Sequence, residues 1–380
     1  MSTDTVEAID LSAQCLCKAN TFKTTITRST LPLTAHICQC NSCRHTSGGL
    51  YTSVTSWTAS AADMDTSRLK KFRFSENVDM FFCPTCSSPM FCAWSRQPER
   101  LAYVFTGVLS NEDADLLKLS GQRFVADTVD GGASPWLLHS NADGVETKRF
   151  DRNATDKELP RDWPPLSSLT GYEGGKEDAV PIRCKCNGVD FILHRGEYSK
   201  TEETDLPSNV DPRTHKLLAD FCGCTACRAQ SGVDVFNWTY VEMKHLSFST
   251  SDRLFPAGNH ALQKAVDAGD PAVGTLRYYN SSKGVSRYFC GECSCCIFYH
   301  TDRRPSSISV AVGALWASDG ARAEGLLSWD FEGPLSSTGR IGGWRQGFYE
   351  RVQKGLDKYR EERKYPQNWL RLTKEKTVLQ

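Results

Sequence analysis

The sequence carries no surplus of charge of either sign: 45 Lys and Arg stand against 45 Asp and Glu in 380 residues, for a formal net charge of zero. Without a basic field it has no electrostatic hold on a nucleic-acid backbone or an anionic membrane, so neither partner is expected. Long apolar runs are also missing. The longest weakly polar stretch, Ile308 to Ala317, falls short of the roughly 20 residues a membrane helix needs. The first residues bring Asp4, Glu7 and Asp10, with no basic start leading into an apolar stretch. No export signal is therefore expected, and a cytoplasmic location follows. Helical periodicity is scarce outside the C-terminal region.

Cysteine, by contrast, is abundant, with 17 residues. Small secreted disulfide scaffolds exceed about 8% cysteine on short exported chains. This chain is long, lacks an export signal and has an odd count. Reduced cysteines in such a chain point to metal binding or redox chemistry.

Cysteine spacing reveals an internal duplication. The first half reads Cys15-x-Cys17, Cys38-x-Cys40-x-x-Cys43, Cys83-x-x-Cys86. The second reads Cys184-x-Cys186, Cys222-x-Cys224-x-x-Cys227, Cys290-x-x-Cys293. Flanking residues agree: CQCNSCRHTSGG with CGCTACRAQSGV, FFCPTCSSPMF with YFCGECSCCIF, YVFTGVLS with SVAVGALW. The second copy is longer by 15 residues between its first two motifs and by 23 between the next two. These insertions are expected in loops near Arg195–His215 and Ser251–Val273.

Seven cysteines divide into four and three. On an extended chain, residues i and i+2 face the same way, so Cys15 and Cys17 present two thiolates to one point. The Cys83-x-x-Cys86 turn supplies two more, completing a tetrahedral zinc site that ties an early strand to a late hairpin. Cys184, Cys186, Cys290 and Cys293 repeat this set. Cys38, Cys40 and Cys43 lie within six residues, close enough to share one ion, as do Cys222, Cys224 and Cys227. Neighbours that would complete these trios are not shared between copies: His36 is matched by Asp220, His45 by Ala229, Cys92 by Tyr299. Three ligands with an exchangeable fourth position is the pattern of a catalytic zinc, and the alternative is closure by a distant residue. A thiol arriving at such a zinc loses its proton near neutral pH and becomes a nucleophile toward an aldehyde.

β-Branched and aromatic runs predict strands over Thr21–Thr27, Met80–Phe82, Met90–Trp94, Tyr103–Thr106, Val189–Leu193, Leu276–Tyr279, Ser286–Phe289, Ile297–Tyr299 and Ile308–Val312. Short helical turns are expected over Cys43–Gly48 and Cys227–Gly232, each ended by glycine. Trp344, Phe348, Val352, Leu356 and Tyr359 form one apolar helical face, with Pro366 as its stop and a solvated basic side. The resulting division is a first zinc domain over 12–150, a Pro- and Gly-rich linker over 151–180, a second zinc domain over 181–340 and a C-terminal amphipathic helix over 341–366.

Each copy resembles the glutathione-dependent formaldehyde-activating enzyme family, which includes the centromere protein V type. The shared features are C-x-C, C-x-C-x-x-C-R-x-x-S-G, F-C-x-x-C and a V-G-x-L strand end. The tandem arrangement, with its RFVADTVDGGASPWL segment, is similar to filamentous-fungal members. The resemblance implies a mainly β, β-tent-like zinc fold with few short helices, and up to two zinc ions per domain. One is a structural zinc on Cys15, Cys17, Cys83 and Cys86, or on Cys184, Cys186, Cys290 and Cys293. The other is an active-site zinc on Cys38, Cys40 and Cys43, or on Cys222, Cys224 and Cys227. It also implies carbon–sulfur lyase chemistry on glutathione-type thiol adducts. Two departures stand out: Ser87 and Ser294 occupy a place where many members have glycine, and the segment after the second copy's last strand has diverged from Phe124–Trp136.

Arg44 and Arg228, each directly after a third trio cysteine, suit a substrate carboxylate, the anionic metal centre or a surface ion pair. Ser47 and Ser231 suit helix-end caps, His45 a proton carrier, and Cys92, Cys295 and Cys296 small buried hydrophobes. Two rivals to the enzyme reading are a non-catalytic tandem zinc module that docks a partner through its basic helix, and a dithiol redox protein.

Overall fold

A computed structural model describes residues 7–60, 64–95, 101–114, 116–175, 177–333, 335 and 342–372. Asp4 and part of the diverged segment after the second copy (334 and 336–341) lie outside these residues. The first half opens with a hairpin of β1 (Ala8–Gln14) and β2 (Thr21–Thr27), in which Leu11 and Ala13, two apart, face inward. Then come β3 (Leu33–Cys38), α1 (Asn41–Ser47), β4 (Thr52–Ser60), β5 (Lys70–Arg73), β6 (Val78–Phe82), β7 (Pro89–Trp94), β8 (Leu101–Phe105), β9 (Leu117–Arg123), α2 (Ser134–Leu137) and β10 (Lys148–Arg149). The second half has β11 (Ala179–Arg183), β12 (Asp190–His194), β13 (Leu217–Cys222), α3 (Thr225–Ser231), β14 (Phe236–Glu242), β15 (Leu246–Phe248), α4 (Asn259–Asp267), β16 (Leu276–Ser282), β17 (Val285–Cys290), β18 (Cys296–Thr301), β19 (Ser307–Ala311), β20 (Leu327–Trp329) and α5 (Trp344–Glu362).

The duplication read from cysteine spacing reappears in the sheets. The first large sheet runs β10-β9-β3-β4-β8-β7-β6-β5 and the second β20-β13-β14-β19-β18-β17-β16, so seven strands repeat in order. Each contains the equivalent parallel pair, β3 with β9 and β13 with β20, and the first adds a second, β9 with β10. The β1–β2 hairpin is matched by β11–β12, to which β15 adds a third strand. Every predicted strand lies on an observed one. The insertion placed at Ser251–Val273 is not all loop, because it contains α4, whose Leu262 and Val266 are buried. The pattern was missed because only two apolar residues of that nine-residue helix face the core.

The halves share one continuous cluster of buried side chains. They meet through equivalent pieces used twice. The Gly107 amide donates to the Gly232 carbonyl (2.9 Å), and the Gly313 amide donates to the Gly48 carbonyl (2.8 Å). Gly48 and Gly232 end α1 and α3 at φ 79° and 77°, a left-handed conformation that suits glycine. Around this seam, Trp136 packs edge-on against Phe221 (5.4 Å). Arg322, fully buried, donates to Glu324 (2.9 Å) and lies 3.8 Å from Asp130 of the first half.

Helix α5 buries the predicted apolar face, but its basic side is only partly solvated. Arg345 is buried against Asp234 (3.0 Å), and Arg360 and Arg363 pair with Glu332 (2.9 Å) and Glu324 (3.4 Å). The helix stops at Glu362, ahead of Pro366. No described helix is long and apolar enough to cross a membrane.

Candidate metal centres

Each C-x-C lies in the turn after its first strand, and each C-x-x-C in the turn between β6 and β7 or between β17 and β18. The extended geometry expected for the C-x-C pairs is therefore replaced by a turn. Lys18 and Asn187 (φ 63° and 58°) bend the chain so that both sulfurs converge. Cys15 and Cys17 sulfurs are 3.5 Å apart, and Cys17 and Cys83 3.6 Å. In the second half, Cys184–Cys186 and Cys186–Cys290 are both 3.5 Å. All four sulfurs of each quartet lie within 4.8 Å of one another. A disulfide would need about 2.0 Å, and all 17 cysteines are free. Tetrahedral zinc with bonds of about 2.3 Å puts its sulfurs roughly 3.8 Å apart, so the quartets fit that ion. Backbone amides support the sulfurs: Asn20 donates to Cys15 (3.3 Å), Val189 to Cys184 (3.3 Å), and Glu292 and Cys293 to Cys290 (both 3.4 Å).

The turns force Ser87 and Ser294 into left-handed backbone, at φ 62° and 66°. Both hydroxyls are buried with no hydrogen-bond partner. The glycine-like conformation is therefore kept at these positions despite the side chain.

The trios follow one local plan. Cys38 ends β3, Cys40 caps α1 and accepts from the Cys43 amide (3.3 Å). Cys222 ends β13, Cys224 caps α3 and accepts from the Cys227 amide (3.4 Å). Ser47 and Ser231 close the other ends of these helices by donating to the Cys43 and Cys227 carbonyls (3.1 and 2.8 Å). The three sulfurs of each trio lie within 4.8 Å of one another, and no fourth His, Cys, Asp or Glu joins either group among the described residues. Hydrogen bonds from Cys38 and then Cys43 hold the Cys40 thiol down at about 3. Cys222 and Cys227 hold Cys224 at about 2. The neighbouring sulfurs and burial push the other thiols of each trio up, a mutual repulsion of crowded sulfurs that a bound cation would relieve.

Different braces hold the two trio loops. Gln39, between Cys38 and Cys40, donates to Gln122 (2.7 Å) and accepts from the Ala133 amide (3.0 Å). Its counterpart Gly223 offers its carbonyl to the Tyr349 hydroxyl of α5 (3.1 Å).

The surroundings of the sulfurs diverge further. In the second half, Cys227 accepts from the Trp238 indole (3.4 Å) and the Arg287 guanidinium (3.7 Å). Burial works against the Arg287 charge, but the Cys227 sulfur outweighs it and raises the guanidinium above its usual value. Burial pushes Asp220 up to about 7, while its Tyr240 hydrogen bond (2.6 Å) pulls the other way. A cavity of about 250 Å³ brings the three sulfurs together with Asp220, Trp238, Tyr240, Arg287 and Arg304. None of these five was singled out as a site residue from the sequence. The available signal was Arg287, three residues before Cys290, where the first copy has Met80.

Arg44 is buried and Arg228 half-buried, and neither forms an ion pair with a described carboxylate, so the surface ion pair is not what they make. Arg228 donates across the seam to the Gly107 and Leu109 carbonyls (2.9 and 3.3 Å). His45 stacks on Trp316 (4.2 Å) and is held near 3 by burial and the Arg44 charge, which makes it a neutral brace. Cys295 and Cys296 are buried, as expected, and burial pushes Cys92 up to about 12.

A family model described as Glutathione-dependent formaldehyde-activating enzyme matches residues 10–126 and 209–325, more than half the chain. No curated protein and no solved structure matches. The second matched region starts after Cys184 and Cys186, which the fold nevertheless brings to Cys290 and Cys293. Two matched regions, each carrying a three-cysteine loop in the same sheet order, place this chain in the glutathione-dependent formaldehyde-activating enzyme (GFA) family.

Proposed function

We propose that the chain is a zinc-dependent carbon–sulfur lyase-like enzyme that forms or cleaves adducts between a small thiol, such as glutathione, and an aldehyde or similar metabolite. The observation that carries this reading is the contrast between centres: four sulfurs close each quartet, whereas each trio stops at three. Cys15, Cys17, Cys83 and Cys86, and Cys184, Cys186, Cys290 and Cys293, hold structural ions. Cys38, Cys40 and Cys43, and Cys222, Cys224 and Cys227, hold ions with a position left for a ligand, for up to two zincs in each of the domains 12–150 and 181–340. Zinc bound there supplies positive charge that lowers the pKa of a thiol.

The chain's own residues do the rest. The Cys43 and Cys227 amides orient the capping sulfurs, and Arg287 and Trp238 spread the negative charge of the second trio. Overall the addition balances: a sulfur–carbon bond forms, the carbonyl π pair moves to oxygen, and the thiol proton ends on that oxygen. Cleavage is the reverse and needs no oxidant. The free state of all 17 cysteines supports a reducing, cytoplasmic setting.

The test is zinc stoichiometry with and without glutathione, combined with a screen of thiol adducts. Up to four zincs are expected, two of them displaceable. Cys40→Ser and Cys224→Ser each remove turnover at their own trio and leave the fold, while Cys86→Ser unfolds the first half. Equal destabilisation by Cys40→Ser and Cys86→Ser, with no turnover of any adduct, refutes the enzyme and favours the non-catalytic tandem zinc module.

A further inference from the structure

The strand registers place equivalent side chains of the two halves in matching rows. In the second half, neighbours across the sheet run Arg287, Tyr299, Ser309, Tyr240. In the first half the same row reads Met80, Cys92, Tyr103, Ser56. One pair further, Asp220 lies opposite Trp238 where the first half has His36 opposite Val54. Lateral neighbours on one face of a sheet form one surface. In the second half that surface walls the cavity holding the trio sulfurs. The matching cavity of the first half, about 190 Å³, is walled by His36, Val54, Cys92, Tyr103 and Arg123 among others, and the trio sulfurs are not part of its wall.

Two charged groups in the second cavity have bonding capacity to spare. Arg287 is spent on Ser281, Gln230 and Cys227. Arg304 is not. It lies over the Tyr240 ring (4.8 Å) and gives one hydrogen bond, to Ser309 (3.3 Å), and no described carboxylate pairs with it. A guanidinium on a cavity wall with free donors is a carboxylate receptor. Asp220 uses one oxygen for Tyr240, and the other is buried without a partner. A buried acceptor left open costs stability until a donor arrives, and an ammonium group supplies one.

We infer that the second-half cavity selects a zwitterionic thiol, with Arg304 taking the carboxylate, Asp220 taking the ammonium and the thiol directed at Cys222, Cys224 and Cys227. The inference rests on the thiol-handling reading of the trios. It makes the halves unequal: His36 in place of Asp220 gives the first half no counterpart to this charge pair. Arg304 and Asp220 are the specificity-determining residues.

The test titrates full-length zinc-loaded protein by calorimetry at pH 8 with three thiols: cysteine, cysteamine, which lacks the carboxylate, and 3-mercaptopropionate, which lacks the ammonium. Arg304→Gln weakens cysteine and 3-mercaptopropionate roughly ten- to hundredfold and leaves cysteamine unchanged. Asp220→Asn weakens cysteine and cysteamine and leaves 3-mercaptopropionate unchanged. Zinc content and melting temperature control for folding. Arg304→Lys, which keeps the charge and loses the fork, is the fallback and gives an intermediate loss for the carboxylate thiols alone. Variants that weaken all three thiols alike, or none, overturn the charge pair while the thiol reading stands. Failure of all three to bind the wild type overturns the thiol reading and the charge pair with it.

Discussion

Replacing Gly313 by alanine probes the seam on which both halves depend. A Cβ at that position would lie 2.0 Å from the Gly49 carbonyl oxygen, 2.5 Å from the Gly49 carbonyl carbon and 2.6 Å from that of Gly48. All three are backbone atoms, so relief needs the halves to separate by about an ångström rather than a rotamer change. Overpacking of this kind costs about 1–3 kcal/mol. Separation also stretches the Gly313–Gly48 hydrogen bond (2.8 Å), and a buried amide left unpaired adds about 1–3 kcal/mol. The expected loss is therefore about 2–6 kcal/mol. Gly107→Ala meets the mirrored obstacle, with Gly232 carbonyl carbon at 2.4 Å and Arg228 oxygen at 2.6 Å, and loses a similar amount. Gly49→Ala is the control, since its nearest obstacle is a Val233 methyl at 3.2 Å that is able to move. It should stay within about 1 kcal/mol of wild type. The assay is urea unfolding followed by tryptophan fluorescence in zinc-containing buffer. The double variant Gly107→Ala/Gly313→Ala should lose less than the sum, because a seam opened once is not opened again. Equal stability of Gly313→Ala and Gly49→Ala would refute the shared seam.

Ser87→Gly and Ser294→Gly should each stabilise by about 1 kcal/mol, since each removes a left-handed side chain and an unpartnered buried hydroxyl; a lower melting temperature contradicts this. Tyr349→Phe deletes hydrogen bonds to Gly223 (3.1 Å) and Asp234 (2.8 Å) and should cost about 1–3 kcal/mol, loosening zinc at the second trio and not at the first in a chelator competition. For Glu324, burial pushes the carboxyl up, but Arg322, the Gly171 amide and Arg363 overcome this and hold it at about 2, with Asp130 and Lys216 nearby. A carboxyl depressed from its usual value of 4.5 stabilises the fold above that pH, and the contribution of roughly 3 kcal/mol fades as pH falls from 4.5 toward 2. The stability gap between wild type and Glu324→Gln should therefore narrow across that window; a constant gap argues against the ion cluster.

The metal-ligand pattern was legible because chemistry fixes it. A tetrahedral thiolate site needs close pairs of cysteines, so C-x-C, C-x-x-C and their repetition carried the quartets, the trios and the duplication. The glycine-ended helices were legible for a similar reason, since Gly48 and Gly232 each need a left-handed backbone. What surrounds the trios was not legible. Arg287 and Trp238 reach the Cys227 sulfur, and Tyr240 the same cavity, through lateral strand pairing, which links residues far apart in the chain and leaves no local pattern. The polar seam was hidden likewise: nothing near Arg228 in the chain announces its acceptors, the Gly107 and Leu109 carbonyls, because they belong to the other half.

The duplication supplies an internal comparison that separates scaffold from chemistry. Positions that close the seam or shape the metal loops are the same in both copies: Arg44 and Arg228, Ser47 and Ser231, Gly48 and Gly232, Gly107 and Gly313. Apart from Arg44, which donates to the Asn41 side chain, these make backbone contacts or take special backbone angles, where most other side chains either clash or leave a donor unpaired. Positions facing the trio sulfurs differ in every member of the row, from Met80 against Arg287 to Ser56 against Tyr240. A sheet tolerates such changes because side chains on one face are replaced without altering the register. The shared sheet order therefore argues for a common way of holding metal, and the divergent row argues for two ligands or for one working site. If the second half alone works, Cys224→Ser removes all turnover and Cys40→Ser removes none. If both halves work, each variant leaves activity toward a different thiol adduct.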